Sequence, residues 1–231
     1  YTFILIAGII TTYILLKETI DKAFDEIIHF AQISKNGLSY TKAAIKENDP
    51  DRFEELRGKL VKYEEISDRI EYEIASFLNA VSAGDISEET SKRIKSMYKI
   101  IGELESLGDS GESISRILSR RNIHKKTFDQ DTVKKLEDMA AAVENAYDAM
   151  IANLNSAHKG QLAEISNAYN AEDRINNLRN YLRDSEIEEI ESSRKNYQTS
   201  VYYMDVVSEF EKMGDFIINI SQTLEKTFVK S

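Results

Sequence analysis

Glu105 and Asp109 stand one helical turn apart with Gly108 just before the aspartate, and Glu211, Gly214 and Asp215 repeat the arrangement. Once, such a pattern would mean little. Here it recurs inside a shared apolar frame. Glu103, Glu105, Gly108, Asp109, Ile114, Ser115 and Leu118 match Glu209, Glu211, Gly214, Asp215, Ile220, Ser221 and Leu224 at one constant offset. The chain therefore reads as an internal duplication. On a helical wheel Glu105, Asp109 and Glu112 border the stripe of Leu104, Leu107 and Ile114, and Gly108 lies between acids and stripe. A missing side chain at that place lets a neighbouring helix come close.

A second acid row, Glu64, Asp68 and Glu71, borders the stripe of Tyr63, Ile70 and Ile74 on the same rotational side. If the two helices pack stripe to stripe, their carboxylates face each other near the seam. Crowded, partly desolvated carboxylates must protonate or gain a cation. Oxygen-only ligands suit magnesium, calcium or manganese, and iron or zinc with less preference. The second half departs from this set: Glu211 and Asp215 face Glu172 and Asn176, with Arg179 where the first half has Glu71. A second metal site is expected to be weaker or replaced by an ion pair. The plainer alternative is a solvated acidic face, since 40 of 231 residues are acidic.

The elements that must position these acids are helices. One proline, nine glycines and long breaker-free stretches favour an all-α fold, and no segment alternates with a strand period. The first helix is expected from Thr12 to about Glu47, with Ile20, Phe24, Ile27, Ala31, Leu38 and Ile45 on its apolar face. Asp49-Pro50 starts a second helix carrying Leu56, Leu60, Tyr63, Ile70, Ile74 and Phe77, which Gly84 can end in a left-handed conformation. Asp85-Ile-Ser-Glu88 reads as a capping box for the third, which reaches about Arg121. A polar linker, 122–131, precedes the fourth. His158-Lys159-Gly160 breaks it. The fifth is expected from about Gln161 to Arg183, and Ser185-Glu-Ile-Glu188 as the cap of the sixth. Short links make successive helices antiparallel, giving two similar three-helix bundles, 12–126 and 127–231, behind an apolar lead-in, 1–11.

The net charge of −10 argues against a nucleic-acid partner. The absence of cysteine removes disulfides and thiolate chemistry. Residues 1–16 carry no charge, but they fall short of the ~20 apolar residues that span a bilayer, and no basic region precedes them. They read as a lead-in packed on the domain or as the tail of a membrane segment. There is no phosphate-binding loop, dinucleotide fingerprint or nucleophile elbow. His29, His124 and His158 are scattered and read as surface or helix-end residues. Arg120, Arg121, His124, Lys125 and Lys126 read as complementing a helix C-terminus, or as a contact for an acidic partner or lipid headgroups.

With these motifs in place, the chain resembles the PhoU family over roughly Thr12 to Phe228, through Glu64 to Asp68, Glu105 to Asp109, Glu211 to Asp215 and the divergent Glu172 to Asn176. The resemblance implies two three-helix bundles, acid motifs associated with bound divalent or trivalent metal ions, and a non-catalytic regulator of phosphate uptake. The lead-in and the run Glu172-Asp-Arg-Ile-Asn-Asn-Leu-Arg179 look like the subgroup that forms the C-terminal domain of bacterial sodium–phosphate cotransporters. The partners so implied are the transmembrane domain of the same chain, on the cytoplasmic side of the bacterial inner membrane, the membrane surface, and a second copy. The alternatives are a free-standing regulator acting on an ATP-driven phosphate importer and a sensor kinase, and a carboxylate-bridged metal hydrolase or oxidase.

Overall fold

A computed structural model describes the backbone of residues 2–229 and side chains from residue 14 onward. Six helices account for nearly all of it, with no strand among the described residues: α1 (Thr2–Lys46), α2 (Pro50–Ser82), α3 (Glu88–Ile123), α4 (Gln130–His158), α5 (Ser166–Glu191) and α6 (Tyr197–Phe228). Helices α1, α2 and α3 pack together as one bundle, and α4, α5 and α6 as a second. The bundles join along two pairs, α1 with α4 and α3 with α6, which leaves α2 and α5 on the outside. All-helical architecture in two three-helix sets is thus what the apolar periodicity predicts. Among the described residues no helix is long and apolar enough to cross a membrane. The packing expected of the lead-in falls on side chains outside the described residues.

Buried side chains follow the stripes. Ile20, Phe24, Ile27, Ala31, Leu38 and Ile45 are all buried on α1, as are Met97, Ile100, Leu104, Leu107, Ile114 and Leu118 on α3. On α2 the expected stripe is less well covered: Leu60 and Ile74 are buried, Leu56, Tyr63 and Ile70 half-buried, and Phe77 is 42% exposed although Leu78 beside it is fully buried. The α1–α4 seam is antiparallel and held at its centre by Ser34 and Tyr147, whose hydroxyls lie 2.8 Å apart in the core. Lys35 to Asp148 and Lys42 to Glu144 extend the same register toward the surface. Removing the phenol oxygen (Tyr147→Phe) keeps the ring but strands Ser34. The expected loss is about 1 kcal/mol, read from the urea midpoint, and smaller when Ser34→Ala is already present.

The helix ends show which local signals prevail. Asp49 accepts from the Arg52 amide at 3.0 Å, with Pro50 opening α2 as expected. Asp129 caps α4 through the Thr132 amide at 2.8 Å. Gly160 has φ +66°, so a left-handed residue follows the end of α4. Three expectations are corrected. Gly84 does not take the left-handed conformation, because α2 already closes with Ala83 in a right-handed turn. The cap of α3 is Ser87, bonded to the Thr90 amide at 3.1 Å, two residues beyond the expected Asp85.

The third correction is the largest. Ser185 does not cap α6. It lies inside α5, which starts at Ser166 rather than near Gln161 and runs on to Glu191. Glu186 turns inward, only 1% exposed, and accepts a hydrogen bond from Ser200 on α6. That buried contact holds the last turns of α5 against α6. The chain reverses instead at Ser192–Lys195, where Ser193 has φ 56°, and Asn196 caps α6 through the Thr199 amide at 3.2 Å. Lys195 anchors this turn by bonding Asp129 at 2.5 Å and Thr132 at 2.9 Å.

Candidate metal centre

The α2–α3 seam closes where both helices present small residues. A Cβ added at Gly108 would lie 2.8 Å from Ser67 Oγ, 3.0 Å from Ser67 Cβ and 3.8 Å from Glu64 Cα. Glycine is therefore what brings α3 against the backbone of α2 at the level of the acids. The duplicate, Gly214, plays the same part for α5 and α6: an added Cβ would meet Ile175 Cδ1 at 3.0 Å and Cγ2 at 3.2 Å.

Close approach has the expected electrostatic result. One carboxylate oxygen each from Glu64, Asp68 and Asp109 lie within 4.8 Å of one another. Burial, then Asp68 and Asp109, hold the Glu64 carboxyl above its ordinary value. Burial and Asp68 likewise raise Asp109, with Arg116 pulling the other way. Glu105 stands at the flank of the three, raised by burial, then by Asp109 and Asp68, and eased by a hydrogen bond from Ser106. The outer members of the row are differently placed. Glu112 forms an ion pair with Arg116 at 2.7 Å, and Glu71 is felt only weakly, at Glu105. The structure thus brings Glu64, Asp68 and Asp109 together, sets Glu105 beside them, and leaves Glu71 and Glu112 at the ends.

Such a set fits a hard cation. Three carboxylates from two helices supply oxygen ligands and excess negative charge, and water fills the remaining positions on ions such as magnesium or manganese. Small side-chain rotations would suffice to bring the three oxygens onto one ion, because each belongs to an intermediate or exposed residue.

In the second half the same positions carry a different solution. Arg179 donates to Glu211 at 2.8 Å, the ion pair the sequence allowed in place of a cation. Asn176 donates to Glu172 at 3.4 Å. Asp215 is raised by burial and by Glu211, with Arg179 lowering it. Glu172 is raised by burial and Asp173, with a smaller part from Asp215. No second carboxylate triad forms among the described residues. Arg116 is the charge near the first-half site that the sequence reading passed over, although its spacing from Glu112, four residues on a helix, signals the pair.

The histidines stand apart from both seams. His29 is exposed beside Glu26, and His158 stacks on Phe24 and bonds Asp25 at 3.0 Å. His124 closes α3 with its ring Nδ1 at 2.5 Å from the Tyr202 hydroxyl.

A duplicated pair of three-helix bundles, each with acids at the seam of its second and third helices, defines the class of this protein. Residues 14–118, which include the three converging acids, match the model of the PhoU domain family. No curated protein matches the chain. The fold is similar to the crystal structure of the phosphate transport system regulatory protein PhoU from Streptococcus pneumoniae, at 12% identity and a TM-score of 0.74, over 94% of this chain and 100% of that one. It is similar also to PhoU from Pseudomonas aeruginosa, at 10% identity and a TM-score of 0.78, over 91% and 97%.

Proposed function

We propose that this chain is a non-catalytic, metal-binding regulatory module of phosphate transport. The observation that carries the reading is the convergence of Glu64, Asp68 and Asp109 inside the matched PhoU domain. The structurally similar Streptococcus pneumoniae protein, a phosphate transport system regulatory protein, suggests the biological process. A cation shared by α2 and α3 fixes the spacing of those helices, so occupancy is a means of altering the surface that a transporter meets.

The finer reading is the C-terminal domain of a sodium–phosphate cotransporter, docked on its own transmembrane part at the cytoplasmic face of the inner membrane. Finding a run of hydrophobic spans upstream of Tyr1 in the full-length protein would support it. A start codon a few residues away instead favours a free-standing partner of an ATP-driven importer.

Isothermal titration with magnesium, manganese, zinc and iron tests the centre directly. Binding near one ion per chain is expected, and Glu64→Gln with Asp109→Asn is expected to weaken it by roughly a hundredfold or more, since two of three charged ligands are lost. Absence of heat with all four ions in the parent protein would leave the triad a solvated acidic edge. Metal-dependent phosphatase turnover, abolished by Asp109→Ala, would instead favour the hydrolase reading.

A further inference from the structure

Where α2, α3 and α6 meet, a cleft carries charge opposite to that of the acid row. Arg57 of α2, Arg116 and Arg120 of α3, the hydroxyls of Ser113 and Ser119, and Glu209 of α6 line an open cleft of about 480 Å³ floored by Ile117. In a chain of net charge −10, three guanidinium groups around one recess need a reason. Their present partners are weak. Arg57 pairs with Glu54 at 2.9 Å, both open to water, and Arg116, itself exposed, pairs with the more covered Glu112 at 2.7 Å and donates to Ser113 at 3.2 Å, each contact lying within a single helix. Surface pairs of this kind contribute about 0–1 kcal/mol each, so an anion can draw both arginines away. Arg120 makes no salt bridge among the described residues.

The duplication supplies a control within the molecule. At the offset that relates the halves, Ser113, Arg116 and Arg120 correspond to Asn219, Gln222 and Lys226, and Glu209 corresponds to Glu103. Asn219 simply bonds Glu103 at 3.2 Å there. Gln222 and Lys226 thus stand in the second half where the first has Arg116 and Arg120, so packing of the helices does not require arginine at those two positions.

We infer that this cleft binds the phosphoryl group of a soluble phosphate compound. Guanidinium forks match phosphate oxygens in pairs, and Ser119 adds a hydroxyl donor. Glu209 selects for the protonation state. Lys212 takes its Oε1 at 2.7 Å, and the other oxygen accepts from the P–OH of a monohydrogen phosphate. Sulfate at neutral pH has no such proton and meets a repelling carboxylate. The volume exceeds what inorganic phosphate needs, so an organic body attached to the phosphoryl group is accommodated over Ile117. Arg116 sits between this cleft and the acid row, since it also lowers Asp109. Its withdrawal toward an anion leaves Glu112 unpaired beside the carboxylates.

Titration calorimetry at about pH 6, where a phosphomonoester keeps a P–OH and sulfate has none, at low salt in chelator-treated buffer with inorganic phosphate, adenosine monophosphate and sulfate as probes, tests the site without any metal. Saturable binding of phosphate or of the monophosphate is expected, with sulfate roughly tenfold weaker or worse. Arg57→Ser with Arg120→Ser, two surface changes outside the acid triad, is expected to cost roughly tenfold or more in affinity at unchanged melting temperature. Glu209→Gln is expected to narrow the gap between phosphate and sulfate. Binding of neither phosphate probe, equal affinity for sulfate, or full affinity in the double arginine variant would overturn the proposal. Sedimentation with phosphatidic acid vesicles in the absence of soluble binding would overturn the soluble source. Each of these outcomes is independent of whether the triad takes a cation.

Discussion

Between about pH 4 and pH 7 the metal-free protein is expected to lose stability as pH rises, and a divalent cation is expected to reverse that trend. Glu64, Glu105 and Asp109 in the first half, and Glu172 and Asp215 in the second, are all raised by burial and then by neighbouring carboxylates. A carboxyl raised in the folded state binds its proton more tightly there than in the unfolded chain. Its stabilising effect is complete below the unfolded value, near 4, and is lost as pH climbs through the folded value. Asp129 works in the opposite sense but in another window. Burial would raise it, yet the hydrogen bonds from Lys195 and Thr132 outweigh burial and hold it at about 2, so its contribution is lost only as pH falls below about 4.

A cation present at one hundred times its dissociation constant adds about 2.7 kcal/mol, which for a chain of this size is roughly 5–10 °C in melting temperature. At pH 5 protons compete for the same oxygens and the gain is expected to be much smaller. Glu64→Gln with Asp109→Asn isolates the row, because every other titrating group is shared with the parent. That variant is expected to melt higher than the metal-free parent at pH 7, to match it more closely at pH 4.5, and to ignore added metal. A parent protein whose melting temperature is flat from pH 4.5 to 7 and unmoved by metal would contradict the crowding on which the centre depends.

The sequence carried the scaffold further than the site. Apolar residues at helical spacing are a long-range average over each helix, and the buried faces of α1 and α3 follow them residue by residue. The duplication likewise located Gly108 and Gly214, and the structure gives both the same task of close approach. What a wheel cannot supply is which acids converge. It places Glu64, Asp68, Glu71, Glu105, Asp109 and Glu112 on one edge, but the crossing of α2 over α3 brings three together and leaves the outer ones to Arg116 and to solvent.

The helix ends failed where burial overrode a local pattern. Ser185-Glu-Ile-Glu188 has the form of a cap, yet Glu186 is carried into the α5–α6 interface, and α5 continues through it. The basic cluster after α3 misled in a related way. Arg121 looks like one more solvated cation, but it is 1% exposed, stacked 4.6 Å from the centre of the Phe128 ring and bonded to the Asn122 side chain. Burial brings its guanidinium down to about 10. Phe128 returns from the linker to cover it, and nothing local to Arg120-Arg121 marks which of the two will be covered.

The other large effect is expected at Gly108, where helix propensity and packing oppose each other. In an unobstructed helix interior, glycine to alanine adds up to about 1 kcal/mol. Gly102 meets that condition, with nothing within 4 Å of an added Cβ, and Gly102→Ala is expected to stabilise by about that amount. At Gly108 the same methyl would overlap Ser67, and one of the two contacts, at 3.0 Å, is to Ser67 Cβ, which cannot rotate away. Overpacking costs about 1–3 kcal/mol, so Gly108→Ala is expected to end near 1 kcal/mol less stable than the parent and Gly108→Leu well below that.

Gly214→Ala, facing Ile175 methyls that can turn, is expected to fall between the two alanine variants. Ser67→Gly removes both offending atoms and is expected to restore much of the loss, a coupling that a double-mutant cycle reads directly. Gly108→Leu also drives α3 away from Glu64, so metal affinity is expected to fall with stability, whereas Gly102→Ala leaves affinity unchanged. If Gly108→Ala proves as stable as Gly102→Ala and binds metal as well as the parent, the repeated glycine is not what sets the distance between the acid rows.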